Sequence, residues 1–253
     1  MKPIQAIKFR VETQLEVPLN FSKRIEGIAA CIDPIQVIAD IGTDHGYLPQ
    51  LLLAEHKTQK AILTDVNEGP LNNAKNTFSA DSPVEFRLGN GLEPIFKGEV
   101  DACVIAGMGG ELIRSILEHD PEKTLSMSFL VLQPMTEQGI LRLWLMSNGF
   151  EILYDAYVYE RGKIYEIIKV APHEANCILG KSDDVFSVPT DDLEFGYRIL
   201  ARSIEAYQIF LELRFKKYNA IYQNTKSADY YEQAENALLK LQTIEKIKRQ
   251  LET

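Results

Sequence analysis

Apolar positions along this chain switch between short unbroken runs and stripes at helical spacing. Phe21, Ile25, Ile28 and Ile32 recur at intervals of three and four, the period of one helix face. Asn20 and Ser22 are the candidate N-caps, and Asp33-Pro34 is the stop. Residues 37–40 form a short apolar run closed by Asp40, which reads as a buried strand. Runs at 60–64, 84–88, 100–106 and 129–132 read the same way. Between them, residues 48–55, the segment opened by Asn67-Glu68-Gly69-Pro70, the stretch through Leu117 and residues 136–148 read as helices. Gly149 stops the last of these. Residues 150–159 and 163–170 face each other across Glu160-Arg161-Gly162 as a hairpin.

Strands alternating with helices predict a parallel sheet covered on both faces. The hairpin adds an antiparallel strand at the end, an architecture usual among Rossmann-like methyltransferases. Residues 173–192 are polar, with Pro189 inside, and read as a linker. Leu193, Tyr197, Leu200, Ile204, Tyr207, Leu211, Phe215, Tyr218 and Tyr222 then repeat at four and three, predicting one long helix with a coiled-coil-like seam. Residues 224–229 break it. Tyr231, Ala234, Leu238, Leu241, Ile244 and Leu251 form a second stripe, so an antiparallel helical hairpin is expected. The expected division is an extension over 1–18, an α/β Rossmann-like domain over 19–172, the linker over 173–192 and an α-helical domain over 193–253.

Composition changes this picture little. The chain has 253 residues, 45% hydrophobic and 25% charged, ordinary for a water-soluble globular protein. No apolar run approaches the roughly 18 residues of a membrane span. Cys31, Cys103 and Cys177 are far apart and odd in number, fitting neither a disulfide framework nor a CxxC metal site. A reduced, cytoplasmic protein without metal or membrane attachment is expected. The formal net charge of −9 argues mildly against nucleic acid as a partner, although such a footprint is a local patch and not an average. One local basic group, Arg214, Lys216 and Lys217 with Arg198 and Arg202 upstream, lies on the first tail helix.

The candidate chemistry gathers after the first strand. In Ala39-Asp40-Ile41-Gly42-Thr43-Asp44-His45-Gly46-Tyr47-Leu48-Pro49 an acid ends the strand and a turn with two glycines follows. In an α/β sheet this turn lies at the carboxyl end of the strands, where nucleotide-like ligands bind. It is not GxGxxG, which weakens a dinucleotide reading. Asp65 follows the first strand by about 25 residues, near the place where an acid takes ribose hydroxyls. Gly89-Asn90-Gly91 and Gly107-Met108-Gly109-Gly110 close the third and fourth strands. Each feature also has a plainer reading, as a cap, a tight turn or, for Arg214, Lys216 and Lys217, a solvated face.

Taken in order, Ser22-Lys23-Arg24-Ile25, the 39–49 stretch, Asn67-Glu68-Gly69-Pro70, Ala106-Gly107-Met108-Gly109-Gly110 and Leu132-Gln133-Pro134 resemble the bacterial TrmK family. These are S-adenosylmethionine-dependent methyltransferases acting on N1 of adenine 22 in tRNA. The resemblance covers residues 21–170 and implies S-adenosyl-L-methionine as cofactor, tRNA as partner and a monomeric enzyme. It implies Asp44 as the catalytic carboxylate, with His45 orienting it or touching the base. Asp40, Gly42, Tyr47, Asp65, Val66, Asn90, Gly91, Gly107, Met108 and Gly109 are the implied cofactor site. Two positions depart from the family pattern: Asn90 replaces an acid, and Met135 replaces an Asn after Leu-Gln-Pro. The alternatives are a methyltransferase acting on a small molecule and a non-catalytic protein that binds the cofactor.

Overall fold

Unbroken apolar strands need cover on both faces, and the order of elements supplies it. The computed structural model describes residues 21–173, 184–225 and 231–252. The extension expected over 1–18, Cys177, residues 174–183 of the expected linker and 226–229 of the expected break lie outside the described residues. Helix α1 (Lys23–Ala30) starts at Ser22, whose Oγ accepts the Ile25 N–H at 3.3 Å. There follow β1 (Ile35–Ile41), α2 (Tyr47–Ala54), β2 (Thr58–Asp65), α3 (Glu68–Lys75) and β3 (Val84–Leu88). Next come β4 (Ala102–Met108), α4 (Gly110–His119), a short α5 (Pro121–Thr124), β5 (Phe129–Pro134) and α6 (Gln138–Ser147). The hairpin is β6 (Phe150–Glu160) with β7 (Lys163–Pro172).

The sheet order is β3-β2-β1-β4-β5-β7-β6, extended by two further strands. The first five strands are parallel, and β7 pairs antiparallel with both β5 and β6. Alternate side chains feed two cores. Ile38, Val104, Phe129 and Val131 pack with Ile28 of α1 and Leu48 and Leu52 of α2 on one face. Ala39, Cys103, Ile105, Leu130 and Leu132 pack with Ile113 of α4 and Leu141 and Leu145 of α6 on the other. A fully buried side chain of this size contributes about 1.5–3 kcal/mol relative to exposure. This two-sided burial is why the strands read as runs and not as alternations.

The tail departs from expectation. The seam predicted one helix from Leu193, but Leu193–Phe195 is a single 3-10 turn and Arg198–Leu200 is a strand, β9. Within the expected linker, Val185–Ser187 is another strand, β8, paired antiparallel with β9, which joins β6. The cause is Gly196, at φ +89, where an added Cβ would stand 2.7 Å from Ile199 and 2.8 Å from the Tyr157 hydroxyl. The next backbone N–H, of Tyr197, donates to Asp155 Oδ2 at 2.8 Å instead of continuing a helix. The long helix is α7 (Ile204–Asn224), followed by α8 (Tyr231–Leu251). Glu194 meets both Tyr218 and Lys240, and Glu212 meets Lys248, so α7 and α8 run in opposite directions. A third core, including Tyr157, Phe195, Ile199, Tyr207, Leu211 and Ile244, joins this hairpin to the β6 side of the sheet.

Candidate active site

The turn after β1 is shaped by its two glycines. Gly42 (φ +74) and Gly46 (φ +68) hold backbone conformations that side-chain-bearing residues rarely adopt. The Gly42 and Thr43 N–H groups both donate to the Thr64 carbonyl, at 2.8 and 2.9 Å, which lays the turn across the end of β2. The Thr77 hydroxyl donates to the His45 carbonyl at 2.7 Å and fixes the far side. The chain therefore turns where β1 lies between β2 and β4, the point at which strand order reverses and open α/β sheets bind ligands.

A cavity of about 1120 Å³ opens there. Asp40, Gly42, Asp44, His45, Tyr47 and Gly107 line it, six of the residues expected from sequence. Asp40 lies at the buried end, and desolvation pushes its carboxyl up to about 6, with the Thr43 hydroxyl and the Arg24 charge opposing the rise. Thr43 Oγ1 itself is buried and has no hydrogen-bond partner of full geometry. Asp44 and His45 lie at the mouth, their side chains 71% and 45% exposed, with Asp44 Oδ2 3.4 Å from His45 Nε2. The His45 ring stacks on Tyr47 at 5.2 Å and 16°, and Phe21 meets Tyr47 edge-on. The mouth is thus a carboxylate beside an exposed aromatic stack.

The opposite wall carries residues to which the sequence reading gave no role. Arg24 Nη1 donates to Gln133 Oε1 at 3.1 Å, and its guanidinium lies 5.7 Å from the Tyr165 ring centroid. Gln133 is buried and donates in turn to the Pro134 carbonyl and to Met135 Sδ. Ser22-Lys23-Arg24-Ile25 and Leu132-Gln133-Pro134 both belong to the ordered set of motifs, but nothing in their spacing says that they meet. Met135, expected to leave a polar role unfilled, is instead a half-exposed acceptor for the Gln133 amide.

The other six expected cofactor residues do not line this cavity. They lie along the same carboxyl edge of the sheet. Asp65 Oδ1 accepts the Asn67 N–H at 2.7 Å, Val66 is exposed, and Gly89 N–H donates to the Asp65 carbonyl. Asn90 is exposed, and Gly91 packs so close that an added Cβ would meet Ile116 at 2.9 Å. The Met108 carbonyl accepts the Met135 N–H, and Gly109 caps α4. Among the described residues no group of three or more His, Cys, Asp or Glu could hold a metal ion, and no helix is long and apolar enough to cross a membrane.

The basic group of the first tail helix is partly committed within the fold, while Lys216 and Lys217 are exposed. Arg214 pairs with Glu166 and Glu194, and Lys217 lies over the Tyr218 ring. Arg198 reaches Glu151, and Arg202 donates to the Ala30 carbonyl. The partners of Arg198, Arg202 and Arg214 are 20 or more residues away in sequence, beyond the reach of a spacing rule.

Residues 21–168 match a family model described as a methyltransferase domain. A Bacillus subtilis (strain 168) protein named tRNA (adenine(22)-N(1))-methyltransferase is 39% identical over 153 residues, 59% of this chain and 64% of that protein. The chain thus spans less than two thirds of that curated relative. The crystal structure of the Bacillus subtilis m1A22 tRNA methyltransferase TrmK is 27% identical at a TM-score of 0.72, over 90% of this chain and 99% of that one. Streptococcus pneumoniae Sp1610 in complex with S-adenosyl-L-methionine is 29% identical at a TM-score of 0.73, with the same coverage.

Proposed function

This chain belongs to the methyltransferase-domain family, and from that premise we propose that it is an S-adenosylmethionine-dependent enzyme that methylates N1 of adenine 22 in tRNA. The observation that carries the proposal is a single cavity with a buried carboxylate, Asp40, at its base and the exposed Asp44–His45–Tyr47 group at its mouth. The names of the Bacillus subtilis relatives support the substrate, and the bound Streptococcus pneumoniae structure supports the cofactor. In this reading the protein works as a cytoplasmic monomer, with α7 and α8 as a coiled-coil-like appendage.

The residues fit the cofactor. Gly42 and Gly107, both at positive φ, let the backbone turn tightly along the cavity wall, Gly42 beneath Met108 and Gly107 beside Arg24. Asp40 is a buried carboxylate without a full ion pair, suited to a cationic ligand group. Asp65 makes one side-chain hydrogen bond, from Asn67, and keeps capacity for ribose hydroxyls. Asn90 can both give and accept hydrogen bonds at an adenine edge. Bound S-adenosylmethionine would supply a methyl group on a sulfonium, electrophilic enough for a neutral ring nitrogen.

The protein's own tasks are then alignment, exclusion of water and charge stabilisation. Adenine N1 holds a lone pair at neutral pH, so no strong base is required to create the nucleophile. The base must leave its stack to expose N1, and the His45–Tyr47 pair offers it a ring face. Methyl transfer to N1 would break the sulfur–methyl bond, leave a neutral thioether and pass the positive charge to the adenine. Asp44 accepts a hydrogen bond from N6–H and stabilises that charge. His45 holds the Asp44 carboxylate toward the mouth.

Incubation with labelled methyl donor and unmodified bulk tRNA, followed by digestion to nucleosides, should yield 1-methyladenosine that maps to adenine 22. Label on a small molecule alone, or none, would refute the assignment.

Asp40 gives a second test. Its folded-state carboxyl lies above the ordinary value of 3.8, at about 6, so its contribution to stability is greatest below pH 3.8 and is lost as pH rises to 6. Cofactor binding has the opposite dependence, because a cationic ligand group needs the carboxylate. Affinity for S-adenosylmethionine should rise about tenfold from pH 5 to pH 7 and then level off. Asp40→Asn should bind more weakly with a flat profile in calorimetric titration. A pH-dependent Asn variant would separate the effect from this carboxylate.

A further inference from the structure

Most cations of the described chain are committed to partners within the fold. Arg87, Arg142, Lys169, Arg214, Lys240 and Lys248 all pair with carboxylates. Lys23, Arg161 and Lys163 are different. All three are exposed, all three line the cavity, and among the described residues none of their side chains forms an ion pair or hydrogen bond. They come from the start of α1 and the tip of the β6–β7 hairpin, which are tied together by the Lys23 N–H donating to Glu160 Oε1 at 3.0 Å. Glu160 and Asp44 are the exposed or half-exposed acids on the same cavity, and Glu160 is engaged by that bond. In a protein of net charge −9, three free cations on one rim form a local basic patch.

The hairpin tip carries a second, independent sign. Glu160 pairs with Lys163, so the loop has two residues, Arg161 and Gly162. Both have positive φ, +48 and +81. Such turns favour Asn or Asp followed by Gly, and an arginine there is strained. A residue kept in a conformation that disfavours it, with its charge unpaired, at the edge of a ligand cavity, is spent on something other than the fold.

We propose, on the reading that tRNA is the substrate, that Lys23, Arg161 and Lys163 form a phosphate clamp. It holds the RNA backbone beside the extruded adenine and so sets which nucleotide reaches Asp44. The clamp lies on the part of the rim formed by the start of α1 and the β6–β7 hairpin tip. The tail cations Arg214 and Lys217, already committed to Glu166, Glu194 and Tyr218, are not part of it.

The test compares three full-length proteins: wild type, the rim variant Lys23→Gln/Arg161→Asn/Lys163→Gln, and a tail variant Lys216→Gln/Lys217→Gln. Binding of an unmodified tRNA transcript is measured by fluorescence anisotropy across a salt series, with S-adenosylhomocysteine affinity and Tm measured alongside. Each phosphate contact contributes about 0.7–0.9 to the slope of log K against log salt. The rim variant should lose about two to three from that slope and on the order of 10²-fold in affinity at 150 mM salt. Its cofactor affinity should be unchanged, and the single Arg161→Asn protein should have a Tm equal to or above wild type. The tail variant should keep most of the wild-type slope. A rim variant with the wild-type slope, or a slope lost in the tail variant instead, overturns the clamp while leaving tRNA methylation standing. A wild-type protein that neither binds nor methylates tRNA overturns both.

Discussion

Asp44→Ala should leave S-adenosylmethionine affinity within about twofold of wild type while lowering kcat on tRNA by about 10²- to 10³-fold, the usual effect of losing one group aimed at developing transition-state charge. The carboxylate is 71% exposed and among the described residues is linked only to His45, so its removal disturbs no packing there. In the free protein water screens it. Once a base covers the His45–Tyr47 stack, water is displaced and the same charge acts at lower effective dielectric. Asp44→Asn should recover little, since it keeps the hydrogen-bond acceptor and loses the charge. Single-turnover kinetics with saturating cofactor separate the two quantities. Loss of cofactor affinity in parallel with kcat would reassign Asp44 to the cofactor or the fold.

The largest effect on stability is expected at Arg142. This guanidinium, wholly buried on α6, donates to Asp155 Oδ1 and Glu166 Oε2, each at 2.8 Å, and to the Leu193 carbonyl at 2.9 Å. The two carboxylates beside it raise its pKa well above the ordinary value against the cost of burial. Arg142→Met leaves the buried Asp155 without its cation and Glu166 with only its longer contact to Arg214. The expected cost is about 3–5 kcal/mol, a fall in Tm of roughly 6–20 °C for a protein of this size. Adding Glu166→Gln should return part of the loss, and Arg142→Lys should cost less than Arg142→Met because a charge remains. Thermal unfolding with intrinsic fluorescence reads all three. A Met variant as stable as wild type would mean that the pair's attraction only balances its desolvation.

The parallel sheet was legible because both of its faces are buried, so the central strands are apolar runs, β1, β2 and β4 ended by an acid or a glycine and β5 by Gln133-Pro134. Ser22 and Gly149 carried the local chemistry of helix ends, and the structure uses both. What the sequence concealed was decided at a distance. Gly196 falls inside a persuasive seven-residue pattern, yet Asp155, 42 residues earlier, captures the backbone beside it and turns the chain into a strand. The site divides in the same way. The turn from Asp40 to Tyr47 was readable because acid, glycines and aromatic are neighbours in the chain. The Arg24–Gln133 wall spans 109 residues, and no spacing rule reaches that far. The pairing of Arg214 was hidden for the same reason, its carboxylates Glu166 and Glu194 being remote in sequence, while Lys216 and Lys217 lie on a solvated face.

The late strands β8 and β9 also bear on synthesis. When the ribosome has delivered the chain as far as Pro172, every strand of the α/β core is present, yet β6 is still an open edge. Tyr157 at that edge is 3% exposed in the finished protein, and its neighbours Phe195, Ile199, Tyr207 and Phe210 have not yet emerged. A nascent chain whose cavity-lining residues have all emerged therefore carries an unpaired strand and a bare aromatic surface until the last third is translated, a window for misassociation between nascent chains on one polysome.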